Sequence, residues 1–353
     1  MKALYFLVLL YLFFFSIELM SEAFKLAGRG FAEQLVATAS DPLAGLIIGF
    51  LATSLIQSSS TTTTIVVGLV ASGALSISVA IPIVMGANIG TTMTNTIVSM
   101  GHVTRSHEFE KAFAASTVHD FFNVLAALTL LPIEVAWHPI ERSAHFLEML
   151  FEDAGGMKLA SPLKLAVGPP ADFLVDAIPH ELPLLVIALG VLFFALSQMM
   201  KVMRGAVLDR LEGLFSRVLF RNDAASFSLG MVTTAAVQSS SATTSLVVPL
   251  AGTGVLSLRQ IYPYTLGANV GTTITAILAS FSTGNPAAVT VALAHLVFNV
   301  LGIAIFYPLK ALPIRLAEWA GRVAGKSKGN SALVIAVYII LHIIPIAYVL
   351  ARR

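Results

Sequence analysis

From Ala3 to Met20 the chain reads ALYFLVLLYLFFFSIELM, with Glu18 as its single charge. Runs of the same kind return at Leu182–Met200 and Ala332–Leu350. Each is close to the roughly 20 residues that cross a hydrocarbon core of about 30 Å. With 57% hydrophobic and 11% charged residues, the chain has too little charge to cover a soluble surface of this length. Lipid leaves backbone groups no solvent partner, so spanning segments must satisfy their own hydrogen bonds. The expectation is an all-α polytopic membrane protein. The absence of cysteine removes disulfides, thiolate metal sites and cysteine nucleophiles. The N-terminal run has no small-residue cleavage site after it and is read as a retained helix rather than a leader.

The chain also repeats itself. Gln57 and Gln238 stand 181 positions apart, and so do Asn88 and Asn269. At that offset IQSSSTTTT (56–64) lies on VQSSSATTS (237–245), and GANIGTT (86–92) lies on GANVGTT (267–273). Pro82 falls on Pro263, Gly73 on Gly254 and Gly49 on Gly230. After a five-residue shift HDFFNV (119–124) matches HLVFNV (295–300). The expected organisation is a first repeat over 1–132, a linker over 133–181, a second repeat over 182–309 and a tail over 310–353 that ends in a transmembrane helix.

Within each repeat the same order is expected: a plain apolar helix, a charged amphipathic stretch, a QSSS hairpin, a helix broken at GAN[IV]GTT, and a final helix through a His/Asn pair. The hairpins cover 43–72 and 225–254, and the broken helices 77–101 and 260–281. The hairpin arms, at about 12–14 residues, are too short to span, so each pair reads as re-entrant. Asp41-Pro42 is a natural N-cap followed by a proline in the first turn. Three crossings per repeat would invert the second repeat against the first. Lys/Arg placement agrees. Arg105 and Lys111, the group Lys201, Arg204, Arg210, Arg217 and Arg221, and the group Lys310, Arg315, Arg322, Lys326 and Lys328 then share the cytoplasmic face with the N-terminus. The acidic linker lies opposite, while Lys25, Arg29, Arg352 and Arg353 dissent.

Paired broken segments in corresponding positions of inverted halves point to a substrate site near the bilayer midplane. Each tip brings an amide and three hydroxyls: Gln57, Ser58, Ser59 and Ser60 in one half, Gln238, Ser239, Ser240 and Ser241 in the other. Such groups donate to an oxyanion and offer oxygen to a hard cation, and helix N-termini favour anions. Neither tip and neither GAN[IV]GTT segment holds Lys or Arg. An anion there needs neutral donors, helix dipoles and co-bound cations, which makes its affinity depend on the cation. A lone Ser/Thr run is more often helix glue; two in register favour a site. His119 with Asn123 and His295 with Asn299 are i,i+4 pairs. They read as braces around the site more than as substrate contacts. Asp120, an acid in an apolar segment, is a functional candidate by default, but its counterpart is Leu296.

The two QSSS runs, GANIGTTMTNTIV (86–98), AFAASTVHDFFNVLAALTLLPIEV (112–135) and YPYTLGANVGTTITAILA (262–279) together resemble the type II sodium–phosphate cotransporter family. The resemblance covers both repeats. It implies Na⁺-driven uptake of inorganic phosphate by alternating access, with no cofactor beyond the coupling ion and no enzymatic activity. Phosphate would sit between the QSSS tips, with Asn88 and Asn269 beside it. Sodium would be held by Gln238, Ser239, Thr272 and Thr275, and by the positional equivalents Gln57, Ser58, Thr91 and Thr94. His119, Asn123, His295, Asn299 and Asp120 would stand behind them. Animal members carry a large cysteine-bearing linker and long tails; the short linker here fits a bacterial inner-membrane member. The expected partners are phosphate, Na⁺ and lipid, not nucleic acid, with a homodimer left open.

Three other readings stay on the table. The scaffold could carry another oxyanion or be driven by H⁺. An anion channel is disfavoured by two occluding hairpins. A serine hydrolase lacks a G-x-S-x-G elbow, and equal serine runs in both halves suit binding better than one nucleophile.

Overall fold

The computed structural model describes residues 2–39, 41–154, 156–203 and 222–351. Arg204, Arg210, Arg217 and Arg221 of the basic cluster, and Arg352 and Arg353, lie outside them. Every regular element among the described residues is helical. Five helical segments are long and apolar enough to cross a membrane: Leu4–Gly28, Ile77–His102, Ser106–Trp137, Glu181–Val202 and Pro286–Phe306. The chain is an all-α polytopic membrane protein.

The first helix, α1 (Lys2–Ala39), changes direction at Gly28, whose φ of 77° lies outside the helical region. Then come α2 (Pro42–Ile56) and α3 (Ser59–Ala71), joined at the first QSSS run. Asp41 caps α2 by accepting from the Leu43 N–H at 3.0 Å, as the Asp-Pro pair predicts. Next are α4 (Ile77–Gly90) and α5 (Met93–Ser99), separated at Thr91-Thr92, and α6 (Ser106–Trp137). The segment after α6 folds into α7 (Pro139–Asp153) and α8 (Gly156–Ala177). The chain continues through α9 (Glu181–Met203) and α10 (Asp223–Val237) to α11 (Ser240–Ser245) and α12 (Val247–Gly252). It ends with α13 (Leu258–Thr283), α14 (Pro286–Phe306), α15 (Ala311–Gly325) and α16 (Lys328–Ala351).

Packing follows the 181-residue offset. The helices that open the two halves, α1 and α9, lie against each other. In one half α2 packs along α4; in the other α10 packs along α13. These pairs touch backbone to backbone through glycine. A Cβ on Gly49 would fall on the Ile83 carbonyl, one on Gly86 on that of Leu46, one on Gly230 on that of Tyr264, and one on Gly267 on that of Phe227. Between membrane helices there is little hydrophobic drive, so close approach of small residues supplies the van der Waals contact.

This use of glycine corrects one expectation. α4 and α5 are separated at Thr91-Thr92, but α13 runs unbroken through GANVGTT. Gly267 and Gly271 admit the α10 backbone and do not break the helix, since a Cβ on Gly271 would meet the Met231 carbonyl. A different break occurs between α11 and α12, around Leu246. Pro249 explains it: without an N–H it cannot donate to the Ser245 carbonyl four residues back. The structure also runs α6 on to Trp137, past the expected boundary at 132.

Polar anchors fix the periphery. Lys164 of α8 donates to the Thr283 carbonyl at 3.0 Å, at the C-terminal end of α13 where the helix dipole favours a cation. Its ammonium also lies 3.8 Å from Glu18 of α1. Asp223, at the start of α10, takes hydrogen bonds from Lys310 at 2.7 Å and Tyr307 at 2.8 Å. Those two donors, Lys310 first, hold the Asp223 carboxyl below the usual carboxylate range.

The glycine contacts lead to a contrast. Gly267→Ala must push α10 and α13 apart and should destabilise the protein by about 1–3 kcal/mol, the usual range for overpacking. Gly190→Ala in α9 meets nothing within 4 Å and should leave the thermal midpoint of the detergent-purified protein near wild type. Equal midpoints for the two variants would refute the backbone-contact reading.

Candidate functional site

Both QSSS runs adopt one local geometry. Gln57 and Gln238 end their helices in the left-handed region, at φ 58° and 57°. Few non-glycine residues sit there, and those that do recur at constrained functional positions. Each backbone N–H returns to a threonine carbonyl, Gln57 to Thr53 at 2.7 Å and Gln238 to Thr234 at 2.6 Å. Ser58 and Ser239 then turn extended and cap the next helix. The Ser58 Oγ accepts from the Thr61 N–H and the Ser239 Oγ from the Ala242 N–H, both at 3.2 Å. As acceptors, both hydroxyls keep their own protons to donate.

The tips meet each other and the opposite half. The Ser60 hydroxyl donates to the Gln238 carbonyl at 3.4 Å, and the Ser241 hydroxyl donates to the Thr91 carbonyl at 2.9 Å. Asn95 of α5 and Thr244 of α11 bond side chain to side chain at 2.9 Å. The break after Gly90 thus leaves the Thr91 carbonyl accepting from the other hairpin. Ser59, Ser60, Ser240 and Ser241 are buried, Ser58 and Ser239 half-buried, and Gln57 exposed.

Behind the tips lies a reciprocal brace. The Asn88 amide donates to Asn299 Oδ1 at 2.6 Å, and its Oδ1 faces His295 Nε2 at 3.0 Å. The Asn269 amide donates to Asn123 Oδ1 at 2.7 Å, and its Oδ1 faces His119 Nε2 at 2.5 Å. Asn123 returns a bond to the Asn88 carbonyl at 2.9 Å, and Asn299 one to the Asn269 carbonyl at 3.5 Å. Each half's asparagine side chain is therefore held by the other half's His/Asn pair, and its carbonyl by the asparagine of its own half's pair. All six side chains are buried. A ring nitrogen facing an amide oxygen must donate, so both imidazoles carry their proton on Nε2, and their Nδ1 atoms have no partner.

The halves differ at the Gln–Thr pair beside each tip. The Thr94 hydroxyl donates to Gln57 Oε1 at 3.0 Å, while the Gln57 amide donates to the Ser54 carbonyl and lies 3.2 Å from Met93 Sδ. At the equivalent positions Gln238 Oε1 and Thr275 Oγ1 are both buried without a partner. Thr272, like Thr91, bonds back to the carbonyl four residues before it, Ala268 and Ala87 respectively. Asp120 is not in the brace. It lines a cavity of about 650 Å³ with Phe50, Ile89, Thr117, Trp319 and Tyr338, and its Oδ2 has no hydrogen bond.

Some polar groups in this region escape a reading of motifs alone. Thr53 and Thr234 have buried, unpartnered hydroxyls packed against Gly90 and Gly271. They also stand 181 apart, so extending the repeat comparison one turn before each QSSS run finds them. Asn95 and Thr244 have no repeat signal as a pair, because Asn95 maps onto Ala276.

The profile of the Na⁺/Pi-cotransporter family matches residues 12–152 and 182–310. The chain belongs to this family. It is a cotransporter family, not one of enzymes. The sodium-dependent phosphate transport protein 2A of Rattus norvegicus is 33% identical over 413 aligned positions, covering 94% of this chain and 65% of that protein. The 2B protein of Homo sapiens is 32% identical over 432 positions, covering 94% of this chain and 63% of that protein. The chain thus spans just under two thirds of the length of these relatives. No solved structure matches it. The family match takes in α7 and is interrupted between 152 and 182, the stretch that holds α8.

The brace makes a double-mutant prediction. Asn88→Ala strips partners from Asn299 and His295, and a buried group left unsatisfied costs about 1–3 kcal/mol. Asn88→Ala and Asn299→Ala should therefore be non-additive, with a coupling of about 0.5–3 kcal/mol in thermal or denaturant stability. Strict additivity would show that the two side chains do not share a bond.

Proposed function

We propose that the chain is a Na⁺-coupled inorganic phosphate symporter that works by alternating access between two inverted repeats, each with a re-entrant QSSS hairpin. Family membership supplies the substrate class. The relatives are sodium-dependent phosphate transport proteins by name. The observation that carries the site is the pair of buried, unpartnered oxygens, Gln238 Oε1 and Thr275 Oγ1, opposite the bonded pair Gln57 and Thr94. A buried acceptor without a donor is costly. A hard cation satisfies a carbonyl and a hydroxyl oxygen together. In this reading Na⁺ is held by Gln238, Ser239, Thr272 and Thr275.

Phosphate then binds between the tips, on the hydroxyls of Ser58–Ser60 and Ser239–Ser241 and the Gln57 and Gln238 amides. The N-terminus of α3, capped by Ser58, supplies backbone N–H groups and the positive end of a helix dipole. With no Lys or Arg in either tip, the anion's charge is offset by the cation beside it. Binding of each therefore raises affinity for the other by the same factor. Asn88, Asn269, His119, Asn123, His295 and Asn299 hold the helices that present the tips. The first helix begins in the cytoplasm, and the acidic segment of α7 and α8 lies outside.

Reconstituted phosphate uptake tests this. Thr275→Val, which keeps the shape and removes the oxygen, should raise the half-saturating Na⁺ concentration at least tenfold, and Thr94→Val less. Gln238→Ala should abolish Na⁺-dependent uptake while the protein stays folded. Wild-type uptake by Gln238→Ala, or phosphate binding unchanged when choline replaces Na⁺, would overturn the reading.

A further inference from the structure

The corner where α6 turns into α7 carries a cluster of ligand-type side chains that transport does not use. Glu134 in the last turn of α6 is buried. Its two oxygens accept from the backbone N–H groups of Ile140 at 2.7 Å and Glu141 at 3.1 Å. Those bonds fix the carboxylate's orientation and leave each oxygen further lone pairs. His138 follows in the left-handed region at φ 51° and puts its Nδ1 3.4 Å from Glu141 Oε2. One ligand atom each from Glu134, His138 and Glu141 lies within 4.8 Å of the other two.

The 3.4 Å between His138 Nδ1 and Glu141 Oε2 suits a small divalent ion. With metal–ligand distances of about 2.0–2.2 Å, tetrahedral zinc needs ligand atoms about 3.4 Å apart. One imidazole nitrogen with two carboxylates suits zinc better than magnesium or calcium, which take oxygen alone. A second histidine–carboxylate pair follows on the same helix. Glu148, 3% exposed, has one buried oxygen with no partner, and its other oxygen lies 3.3 Å from His145 Nδ1. His138, Glu141, His145 and Glu148 follow one another at spacings of three, four and three residues, along one face of α7. That face borders a cavity of about 510 Å³, which His138, Glu141, Arg142 and His145 line together with Ser78 of α4 and Thr290 of α14.

We propose that this corner is a Zn²⁺ site in which Glu134, His138 and Glu141 are the protein ligands and water completes the shell. The ion holds the α6–α7 turn, beside the cavity that the starts of α4 and α14 complete. These are the helices that carry Asn88, Asn123, His295 and Asn299 toward the brace.

Titration calorimetry with zinc chloride on the full-length, EDTA-stripped protein in phosphate-free buffer tests the site without reference to transport. Wild type should show one saturable site, and Co²⁺ bound there should give the intense visible bands of a tetrahedral complex. His138→Ala and Glu141→Gln should each weaken binding at least tenfold and remove the rise in thermal midpoint that Zn²⁺ causes in wild type. Glu141→Gln preserves shape on a partly exposed residue, so its folded state is secure. His145→Ala should bind as wild type does. Absence of saturable heat, wild-type affinity in His138→Ala, or loss of binding in His145→Ala alone would overturn the assignment.

Discussion

The rest of the structure depends on six buried side chains that have no water to turn to. Asn88 of α4 and Asn269 of α13 sit where these helices cross α6 and α14, and each presents an amide that must be matched in a low-dielectric interior. The match comes from α6 and α14, through His119 with Asn123 and His295 with Asn299. Because the bonds run reciprocally between the repeat-related sets, neither half can satisfy its asparagine alone. The polar network thus fixes how four helices meet, and a hydrophobic contact, which is indifferent to direction, would not.

The glycine contacts and the tips build outward from that crossing. Gly49 and Gly86 bring α2 onto α4, and Gly230 and Gly267 bring α10 onto α13, so each hairpin is carried by a braced helix. At the ends of α2 and α10 the chain turns through Gln57 and Gln238; Ser60 reaches the Gln238 carbonyl of the other tip, and Ser241 the Thr91 carbonyl between α4 and α5. A site made this way is neutral, rich in hydroxyls and bounded by two nearly identical frames. Between these frames the Gln57–Thr94 pair is bonded, while the Gln238 and Thr275 oxygens are unpartnered.

Part of this was legible from residue order. The positions of Gln57 with Gln238 and of His119 with His295 follow from self-comparison, and the helical class follows from apolar runs in a chain with little charge. The break at GANVGTT was misread because glycine has two uses, conformational freedom and lack of a Cβ. Which one operates depends on whether another backbone lies alongside. Proline is no clearer a signal: Pro249 follows a helix break, while Pro82, Pro132 and Pro263 sit inside helices that run on through them. The Asn95–Thr244 bond joins residues 149 positions apart with no repeat relation, so no local pattern announces it.

The sequence by itself determined the solvent, the helical class, the duplicated order and the chemistry at each tip, because these depend on composition and on periodicity along the chain. Only the tertiary structure decided which asparagine bonds which histidine, which glycines are contact points, and which of two identical threonine–glutamine pairs is closed. Those outcomes depend on distances between segments far apart in the chain. A change of about one ångström in a buried contact makes or loses a hydrogen bond, while the residue order stays the same.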